Sequence, residues 1–112
     1  MAVKVFTLAD GGVEEFGPWF AEQTLAGVGA GDWYIVPRTA QSILVAITPV
    51  VAGEGKIQYT LDSAEAIGAG TATAADWDAG QVASYTDDVF YPVAAIRLYC
   101  ASGSVRLMAR AR

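Results

Sequence analysis

The sequence predicts an all-β chain: a single-domain antiparallel β-sandwich or small β-barrel with one long N-terminal connection. Three observations carry this. Apolar and polar residues alternate with a period of two in several short runs, which places one side of each strand in a core. Glycine-rich segments separate those runs, with 12 glycines in 112 residues. No long stretch has the 3.6-residue spacing of an amphipathic helix, and short strands joined by glycine-rich turns describe a sandwich or barrel. Apolar residues make up 54%, 21 of all residues being alanine. The larger apolar side chains suffice for one core, and the length suits one domain over 1–112.

The elements follow in order. VKVFTL (3–8) reads as a first strand and DWYIVP (32–37) as a second. SILVAIT (42–48) is apolar nearly throughout, as expected of a strand buried on both faces. KIQYTLD (56–62) alternates again, with Gly53 and Gly55 supplying a turn before it. At the C-terminal end, AAIRLYCA and SVRLMARA flank Ser102-Gly103. A two-residue turn there pairs Cys100 with Val105, Leu98 with Leu107 and Ile96 with Ala109, all apolar, so turn length and pattern choose the same register. Two regions break the alternation. Asp10–Gly31 is a connection of 22 residues, beyond the ~12–15 usual in compact domains, and Pro18 could open a short helix from Trp19 to Leu25. Ser63–Tyr85 is rich in Ala, Gly and Thr, with Thr71–Ala75 as a weak strand and a turn at DWDAGQV before another short strand.

Composition excludes several functions. With no histidine in the sequence, neither a Ser-His-Asp nor a Cys-His nucleophile can be built from it. Cys100, the sole cysteine, makes neither an internal disulfide nor a cysteine-rich zinc site. A net charge of −5 argues against a nucleic-acid binder, which needs a basic face for phosphates. The N-terminal MAVKVFTLADGGVEE has no apolar h-region of a signal peptide. The longest apolar run, Ile43–Ala52, is far short of the ~20 residues that span a bilayer. No membrane partner is expected, nor any catalytic residue, cofactor or bound metal. Asp76, Asp78, Asp87 and Asp88 are acidic but lack a calcium-loop pattern, and read as solvated turns. GVGAG (27–31) lacks the Lys-Ser/Thr of a phosphate loop.

The remaining candidates are surfaces. Trp33 and Trp77 either cap the core at strand ends or, with Trp19, form sugar-stacking platforms, which would make the chain a carbohydrate- or receptor-binding module. The apolar run Phe16–Phe20 either tucks back onto the domain or docks on a neighbour. Between Ile57 and Ile96 there are six acids and no base, whereas four arginines and no acid follow. The hairpin register places Arg97, Arg106 and Arg110 on one face, either paired with the chain's own acids or meeting an acidic partner. Phe16, Trp19, Phe20, Arg97, Arg106 and Arg110 are therefore the candidate partner interface.

The segment GDWYIVPRTAQSILVAITPVVAGEGKIQYTLDS, followed by ADWDAGQV and VAAIRLYCASGSVRLMARA, resembles small virion proteins of tailed bacteriophages, the head-decoration (cement) and accessory proteins. The resemblance spans residues 31–112 and lies in the "DW-x-AG-x-V" turn and the final "AIRL…SG-x-V-x-L" segment. It implies an all-β fold without catalysis, self-assembly with a trimer preferred, and attachment to the major capsid protein or another virion protein. The expected location is the virion, assembled in the host cytoplasm, with a tail or head–tail position as the alternative.

Overall fold

A computed structural model describes residues 3–8, 19–37, 40–77, 85–89 and 93–111. Among them are nine strands and one short helix: β1 Val3–Val5, β2 Thr7–Leu8, β3 Trp19–Ala26, β4 Gly29–Ala30, β5 Trp33–Ile35, β6 Ile43–Thr60, α1 Ala64–Ala69, β7 Ala75–Asp76, β8 Tyr85–Val89 and β9 Ala95–Ala111. The fold is all-β. One open sheet joins the strands, and its bend gives two half-sheets facing a shared core, consistent with a sandwich. All ladders are antiparallel except β1 with β5, which is parallel.

The sheet is organised by two long strands. β6 and β9 run antiparallel from Ile43↔Ala111 to Thr60↔Ala95, with register shifts between Pro49 and Gly55. This corrects the C-terminal hairpin: Cys100 does not pair with Val105. The same reading split β6 into two strands with a turn at VAGEG, and here too the segment is continuous. The reason lies in parity. Inward residues are even-numbered up to Cys100 and odd-numbered from Val105, so the alternation must shift by one residue between them. A two-residue turn does this, and so does a bulge. The extra residue of the bulge lies on β6, where Pro49–Gly55 opposes Cys100–Val105. The bulge leaves both halves of β9 free to bond to β6.

Glycine makes the bend possible. Gly103 has φ +63°, which a β-carbon disfavours, and a β-carbon there would strike the Ala52 carbonyl oxygen. At Gly53 a β-carbon would lie 2.6 Å from the Ser104 nitrogen and 2.7 Å from the Ser102 oxygen. The two backbones touch where both strands turn, leaving no room for a side chain.

The first half-sheet holds β3, the C-terminal half of β9, the N-terminal half of β6, and β8. The second holds β5 and β4, the other halves of β9 and β6, and β7. β1 lies beside β5 and β2 beside β3, so the N-terminal segment crosses between the half-sheets. Phe6, at the crossing, is buried. Ile43, Val45 and Ile47 from one half meet Ile57, Ile96 and Leu98 from the other in one cluster. Burying each such side chain contributes about 1.5–3 kcal/mol.

Positions 10–31 were expected to be a loop or arm with a helix at Trp19–Leu25. Over 19–26 and 29–30 the chain is instead strand. Ala21 is buried, while Glu22, Thr24 and Ala26 are exposed, a two-residue period that pairing with β9 reinforces and that overrides the proline cue. Residues 10–18 lie outside the described set. α1 falls in the stretch 63–85: the Ser63 side chain accepts from the Ala66 N–H at its start, and Gly70 ends it with φ +78°. SILVAIT is buried on one face only, since Leu44 and Ala46 are half-exposed on the other.

Two glycines should respond oppositely to alanine. Gly103→Ala should lower unfolding free energy by about 1–3 kcal/mol through strain and backbone collision. Gly68→Ala, within α1 and with open space around it, should raise it by about 0.5–1 kcal/mol. Urea denaturation followed by circular dichroism measures both. Cys100 is fully buried, its thiol against the Ser102 and Gly103 carbonyls. Thiol labelling should therefore be slow in buffer and fast in denaturant.

Candidate functional site

The outer faces of the two half-sheets differ. On the second, Ile67 of α1 packs over Trp33 and Ala95. Beside it runs a polar lattice. Arg97 lies 4.5 Å from the Trp33 ring centre, and its Nε donates to Gln58 Oε1 at 2.7 Å. Gln58 Nε2 donates to Asp76 Oδ1 at 3.0 Å, and Lys56 Nζ to Asp76 Oδ2 at 3.1 Å. Lys56 also sits 5.2 Å from the Tyr99 ring centre. This face is covered and internally paired.

On the first half-sheet no described element covers the outer face. Strand register builds it in rows: Phe20, Arg110 and Leu44; then Glu22, Met108 and Ala46; then Thr24, Arg106 and Thr48. Their chain neighbours Ala21, Val45, Leu107 and Ala109 face the core. The result is a groove of about 340 Å³ lined by Phe20, Leu44, Ala46 and Met108, with Arg106 and Arg110 beside them. Met108 is 37% exposed. Arg106 is ion-paired with Glu22. Arg110 stacks on Phe20, its guanidinium carbon 4.6 Å from the ring centre. Its Nη1 is buried and has no hydrogen-bond partner among the described residues. A buried donor without an acceptor costs about 1–3 kcal/mol, so this site favours an incoming acceptor.

The candidate interface is thus divided. Phe20, Arg106 and Arg110 come together at the groove. Arg97 lies across the bend in the covered lattice. Trp19 is half-buried against the main core, and Phe16 lies outside the described residues. Leu44, Ala46 and Met108 are groove residues that sequence reasoning missed. Their signal was present: in a strand with one buried face, the alternate apolar residues must lie outside. Of the tryptophans, Trp33 and Trp77 are buried at 2% and 6% exposure, and Trp77 meets Tyr59 edge-on at 5.6 Å. Neither offers a free face for a sugar. Asp87 and Asp88 were expected in turns but lie in β8, opposite Val45 and Leu44. Asp76 lies in β7, and Asp78 is outside the described residues. Among the described residues no cluster of three or more His, Cys, Asp or Glu is placed to hold a metal, and no helix is long and apolar enough to cross a membrane.

A second polar network ties β3 of the first half-sheet to β1 and β5 of the second. Asp32 accepts from Gln23 Nε2 at 2.9 Å and pairs with Lys4 at 3.2 Å, while its own N–H donates to Gln23 Oε1. The Tyr34 hydroxyl donates to the Glu22 carbonyl at 2.8 Å, and burial pushes its pKa upward. Comparison with protein-family models, curated proteins and solved structures finds no match to this chain.

The Gln58 and Lys56 hydrogen bonds hold the Asp76 carboxyl below its ordinary value of 3.8. A depressed carboxyl stabilises the fold above its unfolded pKa and loses that contribution as pH falls through the folded value. Replacing Gln58 by Leu and Lys56 by Met should return the Asp76 midpoint toward 3.8, read by carboxyl carbon NMR titration.

Proposed function

We propose that the chain is a non-catalytic structural protein of a tailed-phage particle, a head-decoration protein that oligomerises and stabilises the shell. The observation that carries this reading is the apolar groove on the outer face of the first half-sheet, which no described residue covers, with Arg106 and Arg110 beside it. A sheet face that leaves Phe20, Leu44 and Ala46 partly exposed beside Met108 gains by association, because contact removes apolar area from water at about 25 cal/mol per Å². Arginine and aromatic side chains are the types that concentrate binding energy at interfaces. The likeness of residues 31–112 to small virion proteins supplies the setting: partners are further copies of the chain, a trimer preferred, and the major capsid protein. The buried Trp33 and Trp77 leave the sugar-binding alternative without its main platforms.

Purified protein added to undecorated phage heads should appear as regular added density by electron microscopy and raise the temperature at which the shells break. Density on tails and not heads would replace the head assignment. Binding to neither would overturn the proposal.

A further inference from the structure

The segment 3–8 is lightly held. β1 and β2 stand at the two ends of one strand order, and neither is bonded to a second described strand. The β1–β5 ladder is parallel and three residues long, and the β2–β3 ladder has two residues. Parallel pairing is the less stable kind per residue. Val3, Lys4 and Val5 are all exposed, Val5 at 61%. Phe6 is buried in the main core, but its N–H reaches the Ile35 carbonyl at 3.4 Å, a long hydrogen bond. The ion pair of this segment joins Lys4 to Asp32, with the Lys4 side chain 53% exposed, and pairs that open to water add little.

The body is closed by other bonds. Asp32 and Gln23 exchange two hydrogen bonds of 2.9 Å, and the Tyr34 hydroxyl donates to the Glu22 carbonyl. These tie β3 to β5 and its approach without using residues 3–8. On the other side of β5, the Val36 N–H donates to the Ala94 carbonyl and the Gly31 N–H to the Leu98 carbonyl. We infer that residues 3–8 form a strap that lifts from the folded body as one unit. Lifting uncovers the backbone edge of Trp33–Ile35 and the niche of Phe6, while the bend and both half-sheets stay folded. Native proteins open in cooperative units, and segments with few buried contacts open at the lowest cost. Lys4 is the latch, and Asp32 keeps Gln23 when Lys4 leaves. The segment that fits the opening is the strap itself, so release is reversible. This device is independent of the assembly reading.

Two reporters read the opening in the full chain. The first is hydrogen exchange followed by NMR. The Phe6 amide should exchange about a hundredfold faster than the protected amides of the β6–β9 ladder, and with little dependence on urea, whereas the ladder amides follow global unfolding. The second is Phe6→Cys, which puts a thiol in the niche, with buried Cys100 as the reference in the same molecule. Position 6 should be labelled in native buffer well before Cys100. Lys4→Met should speed exchange at Phe6 about two- to fivefold and leave the ladder amides and Cys100 labelling unchanged. The wild-type amide keeps the test decisive if Phe6→Cys loosens the strap by itself. Exchange at Phe6 that matches the ladder amides in rate and urea slope overturns the inference. So does fast exchange without labelling at position 6, which is fraying of one hydrogen bond, and so does a Lys4→Met variant in which exchange at Phe6 is unchanged.

Discussion

Everything in this fold hangs on the shared bend of β6 and β9. Two strands of this length would, if straight, carry a flat ribbon with one apolar side in water. Bending both at the same level folds that side onto itself and makes a core from one sheet. The bend demands that two backbones meet where side chains would otherwise stand. Gly53 and Gly103 meet that demand, and the register shifts between Pro49 and Gly55 absorb the longer path of the outer strand. A bulge increases local twist and redirects a strand, so the same residues that relieve the clash also produce the curvature.

The bend also creates the difference between the outer faces. The chain leaving the second half of β6 forms α1, which lies back on its own half-sheet and buries Trp33 and Ala95 beneath Ile67. The first half-sheet receives no such cover from the described residues. One sequence period therefore gives two outcomes. On the covered half, Arg97 is held in a lattice with Gln58 and stacked on Trp33. On the open half, Arg110 stacks on Phe20 with a buried nitrogen lacking a hydrogen bond among the described residues.

The fold class was legible in the sequence because a two-residue period survives any choice of strand partners. Partner choice was not legible. The odd spacing from Cys100 to Val105 signals a one-residue break in the alternation, and a turn and a bulge answer that signal equally. Only β6, with its own interruption at Gly53 and Gly55, selects the bulge, and that is a relation between segments some 50 residues apart. At Trp19–Ala26, Pro18 and the following Gly27 outline a helix locally, while pairing with β9 imposes strand. The docking face was half legible. Phe20, Arg106 and Arg110 stand out by residue type, but Leu44 and Ala46 were hidden inside a run that reads as wholly interior.

The central position of β9 bears on how the molecule is made. β9 bonds to β3, β4 and β5 along one edge and to β6 along the other. It is also the last of these strands to leave the ribosome. Until then β3 and β6 have emerged with their apolar sides and backbone groups lacking the strand that joins them. Assembly must close long loops late, the regime of high contact order and slow folding, with a growing chain prone to misassociation before its central strand arrives.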